Sequence, residues 1–312
     1  MDDQTPILVT GAAGCIGAWT VAHLVRAERP VVAFDRSSDR RRLYLALSRD
    51  EADAVPWETG DITEAGVIDR LVTRHAIGGL VHLAALQIPF CQADPVAGAM
   101  VNVAGTVAVF ETVRRHGLNH FVYASSVAAQ SRPGFDGPNT LYGVYKLADE
   151  GIGRIYWQDW EVPSIGIRPH TVFGPGRDQG FTSAPTKAML AAAAGQSFAM
   201  PYNGVLRMQH VHEVAAAVVR CVDHAPQGAF VGDLEGEAAS VVEIVAAVRD
   251  VMPGAQITVP DEAASFATDQ SDADLRAIVG DWPRVSLRDG TRMTIEAFQD
   301  LLARGLIAPQ PD

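Results

Sequence analysis

Two side chains in the segment 142–146 have the types and the spacing needed to take a proton from a hydroxyl group. Tyr142 and Lys146 stand four positions apart, so on a helix they lie on one face. The ammonium then favours the phenolate, and the phenol can accept a substrate proton while the adjacent carbon loses a hydride. The chain has only two lysines, Lys146 and Lys187, which makes a chance pairing a weak explanation. The alternative is a surface lysine beside a core tyrosine.

Two serines follow an apolar run that predicts a buried strand at Phe121–Ala124. In open α/β sheets the active crevice lies beyond the carboxyl ends of the strands. The Ser126 hydroxyl is therefore a candidate to hydrogen-bond the substrate oxygen and share its developing charge with Tyr142. Ser125 is a candidate contact for cofactor or substrate. Serines in such positions also cap helices or form turns.

An apolar run near the N-terminus leads directly into a G-x-x-G-x-x-G segment, and a helical pattern follows. Glycines allow a sharp turn and a close approach of the backbone to a pyrophosphate, while the new helix presents free N–H groups to that anion. Gly17 also lets the helix lie close to the strand. The pattern predicts a dinucleotide site whose contacts are Gly11, Ala13, Gly14, Cys15, Ile16 and Gly17.

Asp35 ends the second predicted strand, eighteen residues after Gly17. A carboxylate there can accept hydrogen bonds from the adenosine ribose and would repel a ribose 2′-phosphate, which favours NAD over NADP. Arg36 beside it can contact a phosphate, although a solvated cluster with 40–42 is the other interpretation. Asp61 and Ile62, after the third strand, are candidates to lie near the adenine.

Short apolar runs that alternate with helical patterns must position these groups. They predict an α/β fold, a Rossmann-type doubly wound parallel sheet. The predicted strands are Pro6–Thr10, Val31–Phe34, Gly79–Leu83, Phe121–Ala124 and Ser164–Ile167, and the predicted helices are Cys15–Arg29, Ala65–His75, Val96–His116 and Leu141–Trp160. From Arg177 the composition changes. We expect residues 1–176 to form the NAD-binding domain with the catalytic residues, and 177–312 a smaller, interleaved, substrate-capping region with helices Thr182–Ala194, His212–His224, Val241–Val251 and Thr291–Arg304.

The composition excludes several classes of protein. A net charge of −12 disfavours nucleic-acid and anionic-membrane partners. Three scattered cysteines argue against a disulfide framework or a zinc site, and the pair His210 and His212 with Glu213 offers too few ligands, so no metal is expected. We find no secretory leader pattern and no apolar run of membrane-spanning length, and we expect a cytoplasmic protein.

Several ordered motifs together resemble the extended short-chain dehydrogenase/reductases, the NAD-dependent epimerase/dehydratase family. They are Thr10–Gly17, Asp35, Asp61-Ile62, His82–Ala85, Asn102–Thr106, Ser125-Ser126, Tyr142–Lys146 and Arg168 leading to Gly174-Pro175. The resemblance implies that Leu83, Ala84 and Ala85 line the cofactor channel and that Asn102 supports the active site. It implies that Ser126, Tyr142 and Lys146 are catalytic, with the last two also at the cofactor. It further implies a homodimer formed through the helices at 96–116 and 141–160.

Departures from the family pattern concern the substrate. Val127 and Ala128 replace the Asp-Glu pair of nucleotide-sugar dehydratases, so water loss is disfavoured. The run 168–171, Arg-Pro-His-Thr, lacks the asparagine usual in nucleotide-sugar epimerases. The place of their diphosphate-binding arginine holds Leu206, with Arg207 one step later, and the late Arg-Pro-Gly-Asp segment is missing where Asp261–Asp272 is acidic.

These departures favour an NAD-dependent dehydrogenase that acts on a secondary hydroxyl of a small sugar, sugar acid or polyol. An epimerase depends on such anchors to hold its substrate while the keto sugar turns over. The alternatives are an epimerase with tightly held NAD and a non-catalytic dinucleotide-binding protein. Further candidate substrate contacts are Gln87, His170, which is equally interpretable as a buried structural histidine, and Arg177, which is equally interpretable as a solvated loop residue.

Overall fold

The computed structural model describes residues 2–131, 136–264 and 269–308. The chain divides into two compact units. The first unit comprises Met1–Pro169, Ala215–Leu234 and Ser271–Trp282, and the second comprises His170–Val214, Glu235–Gln270 and Pro283–Asp312. The chain thus enters the second unit at His170 and returns twice to the first. The functional division after residue 176 stays a prediction.

Twelve strands form three sheets in the described part of the chain. They are β1 Ile7–Thr10, β2 Val31–Asp35, β3 Trp57–Thr59, β4 Gly79–His82, β5 His120–Ala124, β6 Ser164–Arg168, β7 Thr171–Phe173, β8 Phe198–Ala199, β9 Val205–His210, β10 Ala229–Asp233, β11 Glu237–Ser240 and β12 Ile257–Thr258. The first unit holds a seven-stranded sheet in the order β10-β6-β5-β4-β1-β2-β3, all parallel. This confirms the predicted α/β class. The order reverses at β1, where such sheets bind ligands.

Twelve α-helices accompany the strands in the same described residues. They are α1 Cys15–Arg26, α2 Arg49–Ala54, α3 Val67–His75, α4 Ile88–Ala93, α5 Pro95–Ala99, α6 Gly105–His116, α7 Leu141–Trp160, α8 Ala184–Ala193, α9 Val211–Asp223, α10 Val241–Val251, α11 Ala273–Val279 and α12 Leu287–Ala303. The predicted helix at 96–116 is interrupted by a π-helical turn, Met100–Ala104. Such turns are frequent at functional sites.

The core of the first unit lies between the sheet and its helices. Phe110 of α6 packs edge-on against Phe121 of β5, with ring centroids 4.8 Å apart, and both side chains are fully buried. Leu8 of β1 and Leu80 of β4 belong to the same apolar cluster. Strands buried on both faces explain the continuous apolar runs of the sequence.

One stretch corrects an expectation about membranes. Pro95–His116 is 22 residues long and has a mean hydropathy of 1.6 in its most apolar window, enough in length and composition to cross a membrane. A core helix of a soluble protein meets the same criterion. Val109, Phe110 and Val113 of this stretch are fully buried in the first unit, as expected for such a core helix.

The second unit contains two small sheets, ordered β11-β9-β7 and β12-β8. Strand β9 pairs antiparallel with β11 and parallel with β7. Helices α8, α10 and α12 belong to this unit. The acidic segment Asp261–Asp272 lies partly outside the described residues.

Candidate active site

The glycine turn between β1 and α1 is packed too tightly for any larger side chain. A Cβ added at Gly11 would lie 2.7 Å from the backbone nitrogen of Ala84, and Gly11 has a φ of +71°. A Cβ added at Gly17 would lie 2.1 Å from the Gly11 carbonyl oxygen. Gly14, which has no side chain to offer, is the N-cap of α1. The turn is therefore a backbone-lined cradle at a helix N-terminus, the arrangement that binds a pyrophosphate.

The Asp35 carboxylate is fixed beside this cradle. Its Oδ2 accepts a hydrogen bond from Ala13 N at 3.0 Å, and its Oδ1 accepts one from Ser37 N at 3.0 Å. Each carboxylate oxygen can accept more than one hydrogen bond, so the group can still receive ribose hydroxyls. Asp35 at the end of β2 is thus held beside the glycine turn, and its contact with a ribose stays a prediction.

The arginines after β2 do not form one solvated cluster. Arg42 Nη1 donates to the Ala13 carbonyl oxygen at 2.7 Å and so reaches the glycine turn. The Arg40 guanidinium lies 5.1 Å from the centroid of the Trp57 ring. Arg36 is exposed. The predicted phosphate contact at Arg36 stays a prediction, and Arg42 is the arginine that sequence reasoning missed at this place.

The predicted adenine contacts follow β3. Asp61 Oδ1 accepts hydrogen bonds from Thr63 N at 2.8 Å and Thr63 Oγ1 at 2.7 Å. These hydrogen bonds lower the pKa of Asp61 despite some burial, with a smaller effect from Arg36. The Ile62 side chain is buried against Gly105. Because this side chain is buried, only the backbone of Ile62 could contact an adenine, and that contact stays a prediction.

The segment that follows β4 lies against the glycine turn. Thr10 Oγ1 accepts hydrogen bonds from Leu83 N at 3.2 Å and Ala84 N at 3.3 Å. Leu83, Ala84, Ala85 and Gln87 are all half-buried. The predicted cofactor-channel residues are therefore brought to the same edge of the sheet as the glycine cradle.

A buried hydrogen-bonded chain lies beneath this edge. Thr106 Oγ1 donates to the Asn102 carbonyl oxygen at 2.6 Å, so it accepts from His82 Nε2 at 3.1 Å. His82 Nδ1 is then the acceptor for Thr10 Oγ1, 2.8 Å away. Burial, with a smaller effect from Lys146, lowers the pKa of His82 to about 3. A neutral His82 fits this assignment, because these two hydrogen bonds need one ring nitrogen that donates and one that accepts.

Asn102 lies in the π-helical turn, and its amide holds the backbone that follows β4. Its Oδ1 accepts from Leu86 N at 2.7 Å, and its Nδ2 donates to the Leu86 carbonyl oxygen at 2.9 Å. The side chain is fully buried. This placement agrees with the supporting role that the family resemblance implies.

Helix α7 carries Tyr142 and Lys146 and begins against the turn after β5. Thr140 caps the helix by accepting a hydrogen bond from Gly143 N at 3.0 Å. A Cβ added at Gly143 would lie 2.2 Å from the Ala128 carbonyl oxygen, so the helix start and the turn are in direct contact. The Ser126 hydroxyl accepts from Ala128 N at 3.1 Å and retains its own proton for donation.

Tyr142 and Lys146 share one face of α7. Lys146 Nζ lies 5.9 Å from the centroid of the Tyr142 ring. Tyr142 is half-buried and Lys146 is 2% exposed. The neighbouring Tyr145 points elsewhere and donates its hydroxyl proton to the Pro95 carbonyl oxygen at 2.9 Å. The structure therefore brings together the predicted phenol and ammonium.

The Ser125 side chain is turned away from this pair. Its hydroxyl, 2% exposed, makes a short hydrogen bond to Glu150. Glu150 also receives two hydrogen bonds from Arg168, at 2.7 and 2.6 Å. This network joins β5, α7 and β6, and sequence reasoning did not foresee it. The role of Ser125 as a ligand contact stays a prediction.

The remaining predicted substrate residues belong to the second unit. His170 donates its backbone N–H to Gln209 Oε1 at 2.8 Å, and its Nδ1 lies 3.0 Å from Thr171 Oγ1. Arg177 Nη2 donates to Thr182 Oγ1 at 3.1 Å. Within residues 2–131, 136–264 and 269–308, no group of three or more His, Cys, Asp or Glu side chains is placed to hold a metal ion.

Comparison with known proteins places these features in a family. The NAD dependent epimerase/dehydratase family profile matches residues 7–231. The chain belongs to this family. A UDP-glucose 4-epimerase of Mycolicibacterium smegmatis is 27% identical over 310 residues, which cover 94% of this chain and 98% of that protein.

Solved structures share the fold. A UDP-glucose 4-epimerase of Thermotoga maritima matches with a TM-score of 0.81 and 19% identity, covering 96% of this chain and 100% of that one. A partial consensus L-threonine 3-dehydrogenase matches with a TM-score of 0.80 and 24% identity, covering 95% and 99%. The same fold therefore serves epimerases and dehydrogenases. This chain is an NAD-dependent dehydrogenase or epimerase of the extended short-chain dehydrogenase/reductase type.

The residues present fit the cofactor of this family. The glycine turn, where a Cβ at Gly11 or Gly17 would clash with the backbone, leads into the N-terminus of α1, and Ala13 N of this turn donates to the carboxylate of Asp35. A backbone cradle suits a pyrophosphate, and a carboxylate suits a ribose without a 2′-phosphate. Both features fit the NAD of this NAD-dependent family.

Proposed function

We propose that the protein is a dehydrogenase that oxidises a secondary hydroxyl of a small sugar, sugar acid or polyol with dissociable NAD, in the cytoplasm. NAD, when bound, accepts the hydride. Tyr142 takes the hydroxyl proton, and the Lys146 ammonium favours the phenolate that does so. The Ser126 hydroxyl, which keeps a proton to donate, hydrogen-bonds the substrate oxygen as charge develops there.

The observation that favours a dehydrogenase concerns the position where nucleotide-sugar epimerases carry the arginine that binds the diphosphate. Leu206, at the place of the epimerase arginine, is fully buried in β9. Arg207, one step later, donates to the Gly236 carbonyl oxygen at 3.1 Å and lies 3.5 Å from Glu235 Oε1. A buried leucine cannot bind a diphosphate, and an arginine paired with a carboxylate is a weaker anchor for one.

Dehydration is disfavoured at the same site. Val127 and Ala128, which follow Ser126, are 8% and 5% exposed and have no group that transfers protons. The second candidate function is sugar epimerisation with NAD held through the cycle. It is favoured by the near full-length match to a UDP-glucose 4-epimerase.

An absorbance assay separates the two candidates. We expect net NADH formation with at least one member of a panel of sugars, sugar acids and polyols, and a weaker or absent signal with NADP. Interconversion of UDP-sugars without net NADH, together with NAD that co-purifies with the protein, would support the epimerase instead. Cofactor binding without turnover of any compound would leave only a dinucleotide-binding protein.

We also propose a homodimer formed through the first unit. Large apolar side chains are exposed along one face of α7 and on the stretch that carries α5: Leu141, Val144, Leu147 and Ile155, with Val96 and Met100. The first three follow one another at a spacing of three residues, and Ile155 lies two turns further on the same face of the helix. Exposed apolar stripes of this kind are typical of interfaces.

A charge placed in this stripe tests the dimer. Val144 is 47% exposed, and Val144→Asp is expected to yield a folded monomer, because an interface cannot bury an unpaired carboxylate. The matched control is Val242→Asp on α10, where the valine is 58% exposed in the second unit. Sedimentation velocity should show dimers for the wild type and the control. Dimers in Val144→Asp, or monomers in all three proteins, would contradict the proposed interface.

A further inference from the structure

The Lys146 ammonium has a buried partner on its own helix. Asp149 Oδ2 lies 3.1 Å from Lys146 Nζ, and the two side chains are 1% and 2% exposed. Burying two charges is costly unless each balances the other. The pair lies on the face of α7 that also carries Tyr142, because Lys146 follows Tyr142 by four residues and Asp149 follows Lys146 by three. Asp149 has no part in the proton transfer described above, so its burial there calls for another role.

Other ionisable groups near the pair do not supply the balancing negative charge. The titratable groups that face it come from α7, α4 and β4: Tyr142, Glu150, Cys91 and His82. His82 is neutral, and burial is the main cause that raises the pKa of the Cys91 thiol. The Glu150 carboxylate is paired with Arg168. Asp149 is therefore the counterion of the ammonium.

The charge balance of the pair depends on this carboxylate. Burial alone would lower the pKa of Lys146, but Asp149 and, after it, Tyr142 raise the pKa above the ordinary lysine value. Burial raises the pKa of Asp149 to about 6, with Lys146 opposing it. Both groups are consequently charged above that pH.

We propose that Asp149 is a positioning residue that keeps Lys146 protonated and holds it on the face of Tyr142. The inference rests on the proposed function, because it assigns Asp149 to the support of the proton transfer at Tyr142. Without this carboxylate the ammonium faces desolvation alone, and burial lowers a lysine pKa by up to about 3–5 units. Lys146 then loses its proton near neutral pH and no longer favours the phenolate.

The two lysines of the chain allow a direct test by NMR. The full-length protein is labelled with ¹⁵N-lysine, and Lys187→Arg assigns the Lys146 Nζ resonance. In Asp149→Asn, which keeps the shape of the side chain, we expect the Lys146 titration midpoint to fall by about 3 units or more. The matched control is Asp159→Asn, an exposed position on the same helix, which should titrate like the wild type. An unchanged midpoint in Asp149→Asn would overturn the proposal.

The unaltered protein provides a second measurement, which decides the matter if Asp149→Asn does not fold. Burial alone would lower the pKa of Lys146, but Asp149 raises it, so the Lys146 Nζ should keep the chemical shift of an ammonium at neutral pH and beyond the pH at which an ordinary lysine loses its proton. A Lys146 Nζ that is a neutral amine at neutral pH would overturn the proposal. Neither measurement needs a substrate. A protein that turns nothing over but keeps this ammonium would refute the proposed function alone, and an active dehydrogenase without it would refute the role of Asp149 alone.

Discussion

Replacing Tyr142 with phenylalanine should reduce turnover by about 10²- to 10⁴-fold, the usual contribution of a positioned acid–base group. The change removes one oxygen and leaves the ring beside Lys146, whose Nζ lies 5.9 Å from the ring centroid. Because the glycine cradle and Asp35 are untouched, NAD should bind nearly as tightly as before. Steady-state NADH formation and NAD titration calorimetry provide the two measurements.

The chain offers a close control for this variant. Tyr145 lies on the same helix three residues later, and its hydroxyl donates to the Pro95 carbonyl oxygen at 2.9 Å. Tyr145→Phe should therefore keep its turnover and lose about 1 kcal/mol of stability through that hydrogen bond. Equal turnover in Tyr142→Phe and the wild type would remove Tyr142 from the mechanism.

Replacing Gly17 with alanine should weaken NAD binding by about 100-fold or more, which corresponds to about 2.7 kcal/mol. The added Cβ would lie 2.1 Å from the Gly11 carbonyl oxygen, so α1 and the turn must move apart. That movement displaces the helix N-terminus from the pyrophosphate site. Calorimetric titration with NAD measures the loss, and thermal unfolding shows whether the fold persists.

Gly151→Ala is the matched control for Gly17→Ala. Gly151 is also helical, in α7, and a Cβ added there meets nothing within 4 Å. Gly151 lies on the face of α7 proposed as the dimer interface, away from the glycine turn, so alanine there is expected to leave NAD binding unchanged. If Gly17→Ala binds NAD like this control, the turn is not the cofactor cradle.

Five of the seven strands in the sheet of the first unit were predictable because they are buried on both faces, whereas no bounds were predicted for β3 and β10, which are less buried. Strands β1, β2, β4, β5 and β6 each lie within one residue of the predicted bounds. No strand bounds were predicted for the second unit. Strand β11, Glu237–Ser240, has two exposed residues among its four and contains two alanines, so it has no apolar run to recognise. Strands of two or three residues, such as β8 and β7, are too short for a periodic pattern.

The proximity of Tyr142 to Lys146 and the glycine turn were predictable because the spacing of these residues is local. Tyr142 and Lys146 share a helix, and the glycines share one turn. The hydrogen bond between Thr10 and His82 was not predictable, because these residues are 72 positions apart in the sequence and come together only when the sheet forms. Asp149 did carry a local signal, since it stands three residues after Lys146 on the inner face of α7.

The interruption of the helix at 96–116 was not predictable from its composition. The π-helical turn Met100–Ala104 places Asn102 against the Leu86 backbone, with hydrogen bonds of 2.7 and 2.9 Å. This contact depends on a segment that precedes the helix in sequence and follows β4 in the fold. A periodic apolar pattern carries no information about such a tertiary partner.

A crystal structure of the protein with bound NAD tests the central claim most directly. We expect the pyrophosphate to lie on the turn from Gly11 to Gly17, and the nicotinamide ring to lie beside the Tyr142 hydroxyl with Lys146 close to its ribose. A nicotinamide ring bound away from Tyr142, or a pyrophosphate bound elsewhere than on that turn, would contradict it.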